Sequence, residues 1–121
     1  MTVGRNVTTN SRMKTVNGEF TTDETQEVLY TCPANCRSHV SMLMVTNIGG
    51  NVTVSVTFER AADSSTMHIL GSKNMSTGEY ILFTGAEMVM EPGDTIEVYA
   101  DNGTPAVDVM ATVEEFFVVP G

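Results

Sequence analysis

Cysteine and histidine are the residue types through which this chain could do redox or metal chemistry. Cys32 and Cys36 are the only cysteines, and three residues separate them, whereas a redox motif usually has two. A structural zinc site needs four ligands, and the only histidines, His39 and His68, lie on predicted strands. A local disulfide is an alternative, but two partly buried free thiols where a strand meets a turn are the better interpretation.

Acidic residues are numerous, but they are scattered over predicted loops and polar strand faces. Glu114 and Glu115 are neighbours on a predicted strand, so their side chains point to opposite faces. No carboxylate pair is placed for acid–base catalysis at a glycosidic bond, and no serine nucleophile motif is present. Loop oxygens around Asp101, Asn102 and Asp108 could hold calcium, but a solvated loop is the better interpretation. We therefore predict a non-catalytic protein without a cofactor or metal.

The elements that carry these residues are predicted to be β-strands. The 121 residues suit one domain, and the dominant hydrophobic period is two. In residues 52–60 the apolar side chains alternate with polar ones, which indicates one buried and one exposed face. Residues 38–47 form a second strand, and the Asn- and Gly-rich residues 47–51 between them predict a β-hairpin.

Further short strands follow the same pattern, with turn signals every 8–12 residues. They are predicted at residues 27–31, 66–70, 79–84, 87–90, 95–100 and 107–119. Between two of them, Glu91-Pro92-Gly93-Asp94 fits a type II turn. This number and spacing of strands predicts a single antiparallel β-sandwich over residues 25–121, either a jelly roll or Ig-like.

The first 24 residues are predicted to be an extended basic arm outside the sandwich. Residues 1–17 contain Arg5, Arg12 and Lys14 and no acid, so they carry +3, whereas the other 104 residues carry −12. An acidic body argues against nucleic-acid binding, and no apolar run is long enough to cross a membrane. The three cations are therefore candidates for docking onto an acidic neighbouring subunit, with a solvated tail as the alternative.

Two further features are candidates for protein contacts. Nine methionines are present, and they either fill core gaps or form an adaptable surface between subunits. The end of the chain is apolar on both faces of its last strand, which is typical of a central strand or of one packed on a partner. The candidate partner-binding residues of this strand are Phe116, Phe117, Val118 and Val119.

Four segments in this order resemble small virion structural proteins of tailed bacteriophages, over about residues 27–117. They are Leu29-Tyr30-Thr31-Cys32-Pro33-Ala34-Asn35, Gly78-Glu79-Tyr80-Ile81, the step from Met90 through Pro92-Gly93-Asp94 to Val98, and Val113-Glu114-Glu115-Phe116. The resemblance implies a β-sandwich component of a head, neck or tail, with no catalytic residues. The chain departs from the pattern in its two cysteines and its long basic arm, which leaves its place in the particle open.

These observations together predict an accessory structural protein of a virion that is assembled in the host cytoplasm. Capsid decoration or cementing is the preferred role, with the major capsid protein or other virion proteins as partners. A homo-oligomer is expected, a trimer being one form. A neck, baseplate or tail-fibre component is the alternative within the structural class. A carbohydrate- or receptor-binding module is the alternative outside it, although the absence of tryptophan counts against sugar binding.

Overall fold

The structure is a computed structural model that describes residues 10–118, without the side chains of residues 85–87. Within this range the regular elements are eight β-strands, and none of the described residues forms a helix that could cross a membrane. The strands are β1 (Ser11–Phe20), β2 (Thr25–Thr31), β3 (Cys36–Asn47), β4 (Val52–Glu59), β5 (Thr66–Met75), β6 (Tyr80–Met90), β7 (Thr95–Asp101) and β8 (Val107–Phe117).

The strands form two four-stranded antiparallel sheets. Sheet I has the order β1-β8-β3-β6, and sheet II has the order β2-β7-β4-β5. First pairs with last, second with seventh, third with sixth and fourth with fifth, as in a long hairpin rolled up into two layers. The predicted all-β sandwich is confirmed, and this order is that of a jelly roll rather than an immunoglobulin-like fold.

The core lies between the two sheets and follows the period-two pattern. In β4 the predicted inward residues Val52, Val54, Val56 and Phe58 are all buried. In β8 the same is true of every second residue from Val107 to Val113, as predicted. Because β-branched side chains fit a pleated surface and pack well across it, these two strands form the apolar centre of each layer.

The predicted β-hairpin across the Asn47–Asn51 connection is wrong, although both of its strands form. β3 pairs with β6 and β8, and β4 pairs with β5 and β7, so the connection carries the chain from sheet I to sheet II. The Asn47 side chain is buried and donates hydrogen bonds to the carbonyls of Gly50 (2.9 Å) and Met75 (3.1 Å). These bonds hold the loop across the end of the sandwich.

The prediction that residues 1–24 form an arm outside the sandwich is wrong for residues 11–20. These residues are β1, which pairs with β8 along its whole length, from Ser11 opposite Phe116 to Phe20 opposite Val107. β1 escapes sequence detection because Arg12 and Lys14 occupy inward positions, where the pattern requires apolar side chains. Residues 1–9, including Arg5, lie outside the described residues, so the arm prediction stays untested there.

The two ends and the two sides of the sandwich differ. The upper end carries the loops at residues 32–35, 60–65 and 91–94, and both ends of the described chain. There the predicted type II turn is confirmed, since the Asp94 N–H donates to the Glu91 carbonyl (3.0 Å) and Gly93 has a φ of +87°. Along one side of the sandwich, here called the closed side, β1 packs against β2 and β7 of the opposite sheet. Along the other, here called the open side, the edge strands β5 and β6 do not approach each other as closely.

Candidate functional site

A charged cluster built on a buried carboxylate joins β1 to the rest of the sandwich at the upper end of the closed side. Its centre is Glu115, whose side chain has no exposed surface. Arg12 places its Nε 2.7 Å from Oε1 of Glu115, and Lys14 places its Nζ 3.7 Å from Oε2. From β2, the Tyr30 hydroxyl donates to Oε2 at 2.6 Å and lies 2.6 Å from the Ser38 hydroxyl. The carboxylate thus has a partner on each oxygen, as a buried charge requires.

The electrostatics of this cluster favour the ionised carboxylate. Burial alone would raise the pKa of Glu115, but hydrogen bonds from Tyr30 and Arg12 and the charges of Lys14 and Arg12 outweigh it and lower that pKa. Burial and the hydrogen bond to Glu115 raise the pKa of Tyr30 well above its ordinary value. Tyr30 is therefore a neutral donor at every physiological pH. The arrangement ties β1 and β2 to β8.

The two cysteines lie beside this cluster as free, buried thiols. The Cys32 Sγ is 3.2 Å from the Ser38 Oγ and 3.4 Å from the Cys36 carbonyl oxygen. Burial raises the pKa of the Cys32 thiol, which lowers its thiolate fraction and its reactivity. These contacts agree with the interpretation of the cysteines as structural thiols at a strand–turn junction.

The predicted docking cations fall into two groups. Arg12 and Lys14 both contact Glu115 within the same chain, while Arg5 lies outside the described residues. The Arg12 guanidinium also lies 5.3 Å from the centre of the Phe117 ring, so it joins the charged cluster to the C-terminal end of β8. Contact of these cations with a neighbouring subunit stays a prediction.

The C-terminal strand β8 is central in sheet I, between β1 and β3. Phe116 points to the outer face and packs on His39, with the ring centres 4.7 Å apart. Phe117 is 37% exposed and Val118 is 50% exposed, so both leave apolar surface open at the upper end. The Val118 N–H donates to the Asn35 carbonyl at 2.9 Å. Val119 lies outside the described residues, and the partner-binding role of this strand stays a prediction.

The outer surface of sheet I carries the exposed apolar residues of β3, β6 and β8. We call it the methionine face, and it consists of Met42, Met44, Tyr80, Leu82 and Met110. Tyr80 is 64% exposed, and the three methionines are half-buried. Met75 and Met90, by contrast, are fully buried in the core. The core-filling interpretation is therefore confirmed for Met75 and Met90, while a contact role for the methionines of the outer face stays a prediction.

A groove opens between the two sheets on the open side, near the upper end. It has a volume of about 380 Å³. Its lining is largely apolar and consists of Phe58, Arg60, Met67, His68, Ile69, Met88 and Val89. The Arg60 guanidinium lies 5.7 Å from the centre of the Phe58 ring. The sequence pattern did not indicate this groove, because alternation assigns side chains to faces and does not show how far two sheet edges stand apart.

Three carboxylates meet at the lower end of the closed side. Oxygens of Asp23, Glu24 and Asp101 lie within 4.8 Å of one another, and Asp23 accepts hydrogen bonds from the N–H groups of Asn102 (3.0 Å) and Gly103 (2.9 Å). The weaker calcium alternative grouped Asp101 with Asp108 instead, but Asp108 is an exposed residue of β8. Exposed acidic groups commonly cluster without a metal. Here the hydrogen bonds that Asp23 accepts hold the loop at Asn102 and Gly103.

Glu115 is the important residue that the sequence interpretation missed. A signal was present, because Glu115 continues the inward series of β8 after Val109, Ala111 and Val113. A carboxylate in a buried position needs a cation, and Arg12 and Lys14 are two basic residues that would share one face of a strand. That pairing would have indicated that residues 11–20 belong to the sandwich.

Comparisons with known proteins connect the chain to others through its fold. No protein-family model matches it, and neither does any curated protein sequence. Among solved structures, it is similar to a subunit of Bacillus endospore appendages, described as a family of disulfide-linked pili. The TM-score is 0.60 at 11% identity, and the match covers 98% of both chains.

Two viral structures are similar to nearly the same extent. One is a chain from the acid-stable capsid of Helicobacter pylori bacteriophage KHP30, with a TM-score of 0.55, 12% identity, and coverage of 92% of this chain and 94% of the other. The other forms the virus-like particle of the extra small virus of the prawn Macrobrachium rosenbergii, with a TM-score of 0.52, 13% identity, and coverage of 98% and 86%. At these identities the likeness shows a shared jelly-roll fold.

Proposed function

We propose that this protein is a non-catalytic structural protein of a virus particle, and more narrowly a capsid decoration or cement protein of a tailed bacteriophage. The observation that carries the proposal is the match to a chain of a bacteriophage capsid over 94% of that chain. A single jelly roll of this size accounts for almost all of both proteins. The segments that resemble tailed-phage virion proteins support the same role.

The methionine face is the surface that we assign to the capsid contact. Leu82 and Tyr80 leave large apolar side chains in solvent on the outer face of sheet I, and clustered exposed apolar residues mark protein contacts. Arg5 and the other residues before β1 would reach an acidic patch on an adjacent capsid subunit. Arg12 and Lys14 would stand at the base of that contact while they remain bound to Glu115.

Binding to particles that lack the protein tests this assignment. Purified chain is mixed with such capsids, sedimented, and located by cryo-electron microscopy. We expect density over the capsid surface; density confined to the neck or tail would replace the capsid role with the alternative structural role. A Leu82→Glu variant should lose binding. Val28→Glu, at a residue of similar exposure on sheet II, is the matched control and should keep it.

The contribution of the N-terminal residues needs a deletion that spares the fold. Removing residues 1–24 would take away β1, so the informative variant lacks only residues 2–9. We expect this variant to fold normally and to bind capsids more weakly, most clearly at low salt, because exposed charges are screened by ions. Unchanged binding at low salt would show that Arg5 and its neighbours do not dock.

A subunit of a pilus-like fibre is the second candidate, and the likeness to the Bacillus appendage protein favours it. That family is described as disulfide-linked, whereas the two cysteines of this chain are buried and free. We therefore rank the fibre role second. Electron microscopy of the purified protein separates the two roles, since fibres that persist under non-reducing conditions and dissociate with a reductant would favour the pilus.

A further inference from the structure

We propose that a pocket at the lower end of the outer face of sheet I binds a lysine or arginine side chain of the capsid subunit on which this protein docks. The proposal rests on the proposed function and deepens it, since it names the chemistry of the partner at one part of the methionine face. We call this site the acidic pocket, and its lining includes Asn17, Glu19, Met44, Thr46, Asp108 and Met110.

The register of sheet I brings these residues together across β1, β8 and β3. One row of outward side chains holds Met110 opposite Met44, and the next row holds Glu19 opposite Asp108. The cavity that they line has a volume of about 330 Å³, which is within the range of binding pockets. The two methionines are half-buried and the two acids are exposed, so apolar and charged groups share one concave surface.

The charges of Glu19 and Asp108 have no partner within residues 10–118. The two residues lie directly opposite each other on neighbouring strands, and neither carboxylate accepts a hydrogen bond or forms an ion pair with a described residue. Like charges in such positions are unfavourable. Further along the same two strands, Glu114 accepts a hydrogen bond from the Ser11 hydroxyl (2.9 Å). The unpaired acids therefore mark a place where a cation from outside the chain would be stabilising.

The methionines favour a long cationic side chain over a metal ion. Calcium takes about six to eight oxygen ligands. Here the positions beside the two acids are occupied by Met44 and Met110, whose side chains offer no oxygen. Lysine and arginine combine an apolar methylene stem with a charged head. The stem would lie on the methionines, and the head would donate charge-assisted hydrogen bonds to the carboxylates.

Net charge favours a different protein over a second copy as the occupant. The chain carries −9, so a second copy would bring a largely acidic surface to the acidic pocket. Arg12, Lys14 and Arg37 are already paired with carboxylates of their own chain. A basic patch on a capsid subunit is complementary in sign. Contact there would be continuous with the apolar contact at Leu82, which lies beside Met44 on the outer face.

Uncharged variants of the acidic pocket test the proposal by their binding to capsids that lack the protein. Glu19→Gln and Asp108→Asn should each raise the dissociation constant about tenfold, the loss expected for one charge-assisted hydrogen bond. Their melting temperatures should not fall, because each variant removes one of two opposed like charges and breaks no bond within the chain. Glu97→Gln is the matched control, since Glu97 and Glu59 form another close pair of acids on sheet II, and it should bind like the wild type.

A small probe tests the chemistry of the pocket without a capsid. In a chain with isotope-labelled methionine methyl groups, N-acetyl-arginine amide should shift the NMR signals of Met44 and Met110. The shifts should be largely lost in the double variant Glu19→Gln, Asp108→Asn, and N-acetyl-norleucine amide, which has an uncharged stem, should not cause them. Equal shifts in the double variant, or with the uncharged probe, would overturn the proposal.

The two experiments together separate this inference from the proposed function. If the wild type binds capsids, Leu82→Glu does not, and both pocket variants bind normally, the acidic pocket has no part in the contact and the proposed function stands. If the arginine probe shifts Met44 and Met110 but the wild type binds no capsid, the capsid is refuted as the partner together with the proposed function.

Discussion

The closed and open sides of this sandwich differ in how the edges of the two sheets are covered. On the closed side the chain covers its interior with β1 and satisfies a buried carboxylate with Arg12, Lys14 and Tyr30. On the open side β5 and β6 stand apart, and Met67 and Val89 remain in solvent. The charged groups of the closed side are paired within the molecule, whereas apolar groups of the open side remain exposed. Stability should therefore depend on the first region and association on the second.

Removal of the buried carboxylate should have the largest effect. In Glu115→Ala, Arg12 and Lys14 lose their common partner and the buried Tyr30 hydroxyl loses its acceptor. Arg12 and Lys14 are partly exposed and screened by solvent, so most of the cost comes from the buried Tyr30 hydroxyl, and we expect the free energy of unfolding to fall by about 2 kcal/mol in chemical denaturation. Glu114→Gln is the matched control on the opposite face of β8, and it should change stability by less than about 1 kcal/mol. Equal effects in the two variants would refute the closed-side assignment.

Lowering the pH should reduce the contribution of Glu115 to the free energy of unfolding. The pKa of Glu115 is lower in the folded than in the unfolded chain, so its stabilising contribution is fully present above the unfolded pKa, about 4.3, and is lost as the pH falls through the folded value. The difference in stability between the wild type and Glu115→Gln should therefore shrink as the pH is lowered from 6 towards 3. Denaturation measured over that range checks the sign, and a difference that grew on acidification would contradict it.

These two predictions depend on the position of Glu115 beside β1, which the sequence pattern indicates only in part. Alternation in residues 52–60 and 107–113 predicted both the strands and the inward side chains, because burial of one face imposes a period of two. Alternation does not specify which strand lies beside which. The Asn- and Gly-rich connection after Asn47 signals a reversal of the chain, but a reversal within one sheet and a crossing between sheets use the same residue types. The β-hairpin prediction failed for that reason.

β1 shows a second limit of the pattern. Its inward positions hold Arg12 and Lys14, which a rule based on hydrophobicity assigns to solvent. Their inward position becomes reasonable only when Glu115 is also assigned inward, and Arg12 and Glu115 are 103 residues apart in the chain. The groove on the open side cannot be predicted from the local sequence, because the distance between two sheet edges depends on the packing of the whole domain. The local sequence thus predicts faces well and long-range partners poorly.

Loosening of β1 is the next effect in size. Arg12→Ala removes one partner of Glu115 and the cation over the Phe117 ring, while Lys14 and Tyr30 still hold the carboxylate. We expect faster amide hydrogen exchange in residues 11–16, with β4 and β7 unchanged, because local opening affects only the strand that lost its anchor. Arg37→Ala, which breaks a half-exposed ion pair with Glu91, is the control and should leave exchange in β1 as it was. Uniformly faster exchange would mean that the cluster supports the whole fold rather than one strand.

The smallest change in stability is expected on the open side, where it is the most informative. Met67 is largely exposed in the single chain, so Met67→Ser removes little buried surface, and surface substitutions of this kind stay within about 0.5 kcal/mol. Denaturation at a protein concentration low enough to keep the chain monomeric should show that small change. At high concentration the wild type should gain stability from association, by mass action, and Met67→Ser should gain less. A wild-type stability that does not depend on concentration would place the apolar groups of the open side outside any contact between copies, and the contrast between the two sides would then be one of packing alone.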